Sequence, residues 1–104
     1  MNTVVSDWYI VSVFEHESRR LMGRCLYGDV VEDPTNRFRI GSFVCTSVIK
    51  HIDPDTRTVY TDSGSVYELL DAKGKQFDAW LPEVELLRNG VSPQEVVAQR
   101  QISL

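Results

Sequence analysis

The chain has 104 residues, 42% of them hydrophobic and 25% charged, a size and balance that fit one hydrophobic core and exclude the composition of a disordered segment. The net charge is −4. Residues 1–57 hold seven basic against eight acidic residues, and residues 58–104 hold four against seven, so neither half has the basic surplus that displaces counterions from nucleic-acid phosphates.

Met1 to Asp7 has neither the basic nor the apolar region of a secretory signal, and no apolar run approaches the roughly 20 residues that span a bilayer. Cys25 and Cys45 alone do not make an extracellular disulfide framework. The cytoplasm is the expected location.

The run WYIVSVF, Trp8 to Phe14, is aromatic and β-branched and predicts a buried strand. The polar EHESRR at Glu15–Arg20 predicts a hairpin loop. A second strand is expected from Leu21 to about Val31, with Gly23 and Gly28 marking a bulge or bend that curves the sheet. Asp33-Pro34-Thr35-Asn36 then suits a turn, and Arg37 to Ser42 extends it into the longest irregular stretch. A third strand is expected over Phe43–Ile52, a fourth over Thr58–Thr61 and a fifth over Val66–Leu70. The turns Asp53–Thr56 and Asp62–Ser65 would join them, in the rhythm of a meander or small barrel.

Lys73-Gly74-Lys75 should close this region, with Phe77, Ala79 and Leu81 forming a last short strand. Pro82 opens a helical turn through Leu87 that Asn89-Gly90 stops. Ser92-Pro93-Gln94-Glu95 has the serine, proline and glutamate of a capping box, predicting a helix from Pro93 to about Gln101 with Val96, Val97 and Ile102 towards the sheet.

The expected fold is mainly β with C-terminal α. It is a small curved antiparallel sheet or SH3-like partly open barrel of five or six strands, carrying one or two short C-terminal helices. All of residues 1–104 form one domain, with a β core over about 8–81 and a helical tail over about 82–102.

Signs of catalysis or metal binding fail on spacing. The cysteines are twenty residues apart, and His16 falls in a polar loop. On one extended strand Cys45 and His51 would stand about 20 Å apart, too far to share an ion. A Cys25–Cys45 disulfide is open if their strands are neighbours, but a cytoplasmic setting opposes it. His51, Asp53 or Asp55, and Ser63 are the residue types of a hydrolase, yet Asp62-Ser63-Gly64-Ser65 lacks the G-x-S-x-G elbow and reads as a turn. Asp53 and Asp55 are not followed by a calcium-loop pattern. No catalytic residue, metal site or cofactor is expected.

Binding has better candidates. Arg37 and Arg39 flank Phe38, and arginine and aromatic side chains dominate protein interfaces and stack on bases. With Arg57 on a later turn, these are the candidate partner-binding residues. In the blander alternative Phe38 plugs the core and both arginines face water. The tail LLRNGVSPQEVVAQR has helix-turn-helix spacing but few donors for a recognition helix, so a helical lid fits better. Acidic Asp71, Asp78, Glu83 and Glu85, if clustered, would favour a basic protein target.

The stretches GDVVEDPTNRFRIGSFVCTS and TDSGSVYELL follow the pattern V-V-x-D-x-x-x-R-F-x-x-G-x-x-V-x-T-S and a later T-x-x-x-x-V-Y-x-L. Over Gly28 to Leu70 the chain resembles a family of short, uncharacterised bacterial and phage proteins, in which a longer segment precedes this core. The resemblance implies such an origin and a strand-turn-strand core, and it carries no activity or site residue.

The expected function is therefore a small cytoplasmic protein-binding module without catalytic activity, such as a bacterial or phage inhibitor, immunity or anti-defence protein. The alternatives are a nucleic-acid-binding barrel using the Arg/aromatic face and, last, a small enzyme. The expected partner is another protein, with nucleic acid less favoured and no membrane; an uncovered edge strand offers a route to a homodimer.

Overall fold

The computed structural model describes residues 2–71 and 74–102, with the side chains of 101 and 102 left aside. Seven strands are followed by a 3-10 turn and two helices. The strands are β1 (Thr3–Phe14), β2 (Leu21–Glu32), β3 (Phe43–Cys45), β4 (Ile49–Asp53), β5 (Thr58–Thr61), β6 (Val66–Leu69) and β7 (Lys75–Trp80). The turn Leu81–Glu83 leads into α1 (Val84–Arg88), and α2 spans Pro93–Ile102. Lys73 and the Ile102 side chain lie outside the described residues.

The strands run in the order β3-β2-β1-β6-β5-β4, with β7 beside β1. The sheet is curved and open, mainly β with a helical end, as the sequence predicts. Two pairings depart from a purely antiparallel sheet: β1 runs parallel to β6 over Thr3–Val5 and parallel to β7 over Tyr9–Phe14. Local patterning cannot reveal this, since both strands reach β1 by long-range pairing. The two ends of the strand order, β3 and β4, are successive pieces of one bent segment.

That bend corrects the single third strand expected over Phe43–Ile52. At Thr46 the side-chain Oγ1 accepts the Leu26 amide at 2.9 Å and donates to the Ser47 carbonyl at 2.7 Å. A side chain thus takes over a ladder position, and the chain turns from β2 towards β5. Cys45 and His51 consequently sit on different strands.

β1 begins at Thr3, five residues before the sequence signal, because a bulge disguises its alternation. Opposite Gly28 the register jumps from Ser6↔Asp29 to Tyr9↔Tyr27, so Asp7 and Trp8 share one partner position, with Asp7 at φ 48. The extra residue inverts which face later side chains occupy. Val5, Trp8 and Ile10 pack with Leu26, Val30, Val44, Val59, Tyr67 and Leu69 inside the curl. Tyr9, Val11 and Val13 turn instead to a second cluster with Cys25, Tyr27, Ala79, Val84, Leu87 and Val96 under the helices.

The capping box forms as expected: Ser92 Oγ accepts the Glu95 amide at 3.2 Å, and Glu95 accepts the Ser92 amide at 3.2 Å. Val96 is buried, whereas Val97 is 39% exposed and does not face the sheet. α1 ends at Asn89-Gly90, with Gly90 at φ 95 and the Val91 amide donating to the Leu86 carbonyl.

Gly74 is where Trp8 leaves no room for a side chain. An added Cβ would stand 2.0 Å from the indole ring, and the indole N–H is tied to the Asp71 carbonyl at 3.1 Å. Gly74→Ala is expected to lower stability by about 1–3 kcal/mol, measured as an earlier urea midpoint with Trp8 fluorescence shifted towards solvent.

Candidate functional site

The irregular loop between β2 and β3 is built on Asp33, 8% exposed. Its Oδ1 accepts the Thr3 hydroxyl at 2.8 Å and the Thr35 amide at 3.1 Å, with the Thr35 hydroxyl beside them. Its Oδ2 accepts the amides of Arg37 and Phe38, both at 2.7 Å. Burial pulls this carboxyl upward, but the Thr35 hydroxyl, the Phe38 amide, the Thr3 hydroxyl and the Thr35 amide together hold it well below the usual range. One ionised group thus fixes where Arg37 and Phe38 begin.

From that anchor the loop walls an open groove of about 540 Å3. Its lining comes from Arg37, Phe38 and Arg39 of the loop, from β3 and residues up to Ser47, from Ser63, Ser65 and Tyr67 of the β5–β6 hairpin, and from Arg88 of α1. Within this lining the Ser47 and Ser63 hydroxyls meet at 3.1 Å. Among the lining residues are three guanidinium groups and no carboxylate, although the whole chain is acidic.

The three arginines differ in freedom. Arg37 is committed to the fold: it donates to Ser65 Oγ at 2.8 Å and Thr35 Oγ1 at 3.1 Å, and its guanidinium lies 5.0 Å from the Phe38 ring centre and 5.9 Å from that of Tyr67. Arg39 is exposed. Arg88 meets only the exposed Glu85 at 3.7 Å among described ion pairs, a contact worth little. Next to Arg39, Ile40 is 66% exposed, more than any other large hydrophobic residue described.

β3 also offers backbone. Val30 donates to the Ser42 carbonyl at 2.7 Å, and Thr46 donates to the Leu26 carbonyl at 2.9 Å. Because antiparallel bonding alternates, Ser42, Val44 and Thr46 face β2 while the main-chain groups of Phe43 and Cys45 face away from it.

Cys25 and Cys45 are both free thiols, one buried and one half-buried at the groove. The two thiols interact with each other electrostatically. The neighbouring Cys25 thiol, aided by Arg88 and opposed by burial, holds Cys45 below its ordinary value, while the same neighbour and burial push Cys25 far up.

The sequence candidates divide. Arg37, Phe38 and Arg39 line the groove, with Phe38 half-buried against the inner cluster. Arg57 lies elsewhere, at φ 54 in the β4–β5 turn, where its carbonyl accepts the Leu69 amide. Arg88 was missed because the expected helical turn ended at Leu87, leaving Arg88 beside the Asn89-Gly90 stop; only the docking of Val84 and Leu87 brings that end of α1 to β3. Of the acidic candidates, Glu83 is engaged by Arg100, whose Nε reaches it at 2.6 Å, and by the Trp80 amide at 2.9 Å. Among the described residues no three His, Cys, Asp or Glu side chains gather as a metal site, and no helix is long and apolar enough to cross a membrane.

No family model, curated protein or solved structure matches this chain.

Proposed function

We propose that this chain is a protein-binding module whose groove receives an acidic segment of its partner. The observation that carries the reading is three guanidinium groups and no carboxylate around one groove on a chain of net charge −4. Such a local field selects for anionic groups and speeds their encounter. The outward main-chain groups of Phe43 and Cys45 suit an extended peptide, and the exposed Ile40 adds an apolar contact that a polynucleotide backbone would not use.

The alternative, a single-stranded nucleic acid, draws on the same arginines. Stacking bases would need open aromatic faces, whereas Tyr67 is 3% exposed and Arg37 already lies over Phe38. A homodimer has its own route, since among the described residues β4 pairs only with β5 and β7 only with β1; sedimentation of the free chain across concentrations tests it.

The test is a titration of the isotope-labelled protein, followed by amide shifts, with a Glu-Val repeat peptide, its Lys-Val counterpart and an oligothymidine. The acidic peptide is expected to move Arg39, Phe43, Cys45 and Ser63, and Arg39→Glu with Arg88→Glu to weaken its binding at least about tenfold. Equal response to the basic peptide would refute the proposal. Tighter binding of the oligonucleotide, falling steeply with salt, would transfer the groove to nucleic acid.

A further inference from the structure

The thiol pair supports a second, independent activity that does not rest on the identity of any partner. We propose that Cys45 is a peroxide-reactive thiol and that Cys25 resolves its oxidised form into a reversible disulfide joining β2 to β3.

The geometry begins with the ladder. Tyr27 is directly opposite Cys45, which places Cys25, two residues along β2, diagonally across on the same face. Cys25 belongs to the cluster under the helices and Cys45 packs against it, so both side chains meet the same apolar layer. Diagonal neighbours on adjacent strands stand about 7–8 Å apart at Cα, just beyond the usual span of a disulfide, so the strands must draw together. The small approach required falls on β3, a three-residue strand that among the described residues has no strand on its other side.

The two thiols are unequal in the way the chemistry requires. Cys45 opens to the groove beside Arg88, so a small oxidant can reach it, and the neighbouring Cys25 thiol and the Arg88 charge favour its thiolate. Cys25, 5% exposed, keeps its proton and meets only a smaller pocket of about 110 Å3. A peroxide-sensing thiol needs the first environment, and its resolving partner needs only contact.

In the first step the Cys45 thiolate attacks one peroxide oxygen. A sulfur–oxygen bond forms, the oxygen–oxygen bond breaks, and the departing hydroxide takes up a proton as water, leaving a sulfenic acid. The Cys25 sulfur then attacks the sulfenic sulfur. The sulfur–sulfur bond forms, and hydroxide leaves with the Cys25 proton as a second water. Two electrons have passed from the thiol pair to hydrogen peroxide, and any small dithiol returns them.

The experiment treats the whole chain with hydrogen peroxide at neutral pH and follows intact mass and non-reducing peptide maps, with dimedone as the sulfenic-acid trap. The wild type should lose two hydrogens and yield a linked Cys25–Cys45 peptide that dithiothreitol separates. Cys25→Ser should stop at a dimedone adduct on Cys45, and Cys45→Ser should give neither product. Should the buried Cys25→Ser substitution unfold the chain, maleimide labelling of the reduced wild type provides the same decision. Cys45 should react at least about tenfold faster than Cys25. An unchanged mass under peroxide, an adduct confined to Cys25, or faster labelling of Cys25 would each overturn the proposal.

Discussion

Replacing Leu87 with alanine is expected to lower the free energy of unfolding by about 3 kcal/mol, among the largest effects a single substitution can have here. Leu87 is 0% exposed and lies in the cluster with Val11, Val13, Ala79, Val84 and Val96. α1 has only five residues, too few to hold a helix by its own hydrogen bonds, so it persists because Val84 and Leu87 are buried. Truncation removes the transfer free energy of the lost atoms and leaves a cavity that a sheet-backed site closes poorly. The measurement is urea unfolding, with a lower midpoint and an unchanged slope. Leu81→Ala is the control: Leu81 is 46% exposed on the adjoining turn, and its loss should stay within about 0.5 kcal/mol. Leu87→Ala should also weaken the groove, because Arg88 is held by the same helix. Equal effects at 81 and 87 would mean that the helices are not the lid they form here.

The legible parts of this fold are those encoded locally. Ser92 and Glu95 announce α2 because both halves of the cap lie within four residues, and Asn89-Gly90 ends α1 through a backbone conformation that glycine supplies. The hairpin loops and the places of β2, β5 and β6 along the chain follow from turn residues between β-branched runs. What was illegible depends on distant chain. The parallel pairings of β1 with β6 and β7 join residues more than sixty positions apart. The break at Thr46 depends on a hydroxyl meeting the Leu26 amide, and the bulge at Asp7–Trp8 erases the alternation that would have extended β1 to Thr3. The candidate site was half visible for the same reason. Arg37 and Arg39 stand out beside Phe38 in one short segment, but the groove needs Ser63, Ser65 and Arg88 from elements that only the tertiary fold brings alongside.

Asp33→Ala is expected to be the more informative disruption, with melting lowered on the order of 10 °C. Five donors converge on this carboxylate: the Thr3 and Thr35 hydroxyls and the amides of Thr35, Arg37 and Phe38. Thr3 is 0% exposed, so its hydroxyl has no ready access to water when the acceptor is removed, and unmade buried hydrogen bonds are costly. Asp33→Asn should fall between wild type and alanine. Its oxygen can still serve the Arg37 and Phe38 amides, while its NH2 must face two hydroxyls able to turn and the Thr35 amide, which cannot. Acid separates charge from shape. The folded carboxyl lies below its ordinary value of 3.8, so the folded state binds its proton less readily than the unfolded chain does. Its stabilisation is complete above that ordinary value and drains as pH falls through the folded one. The gap between wild type and Asp33→Asn should therefore be widest near neutrality and narrow below about pH 4, as read by melting curves across pH. A gap that stayed constant into acid would assign the loop's order to shape alone. A closing gap would make the ionised Asp33 the group that holds Arg37 and Phe38 at the groove.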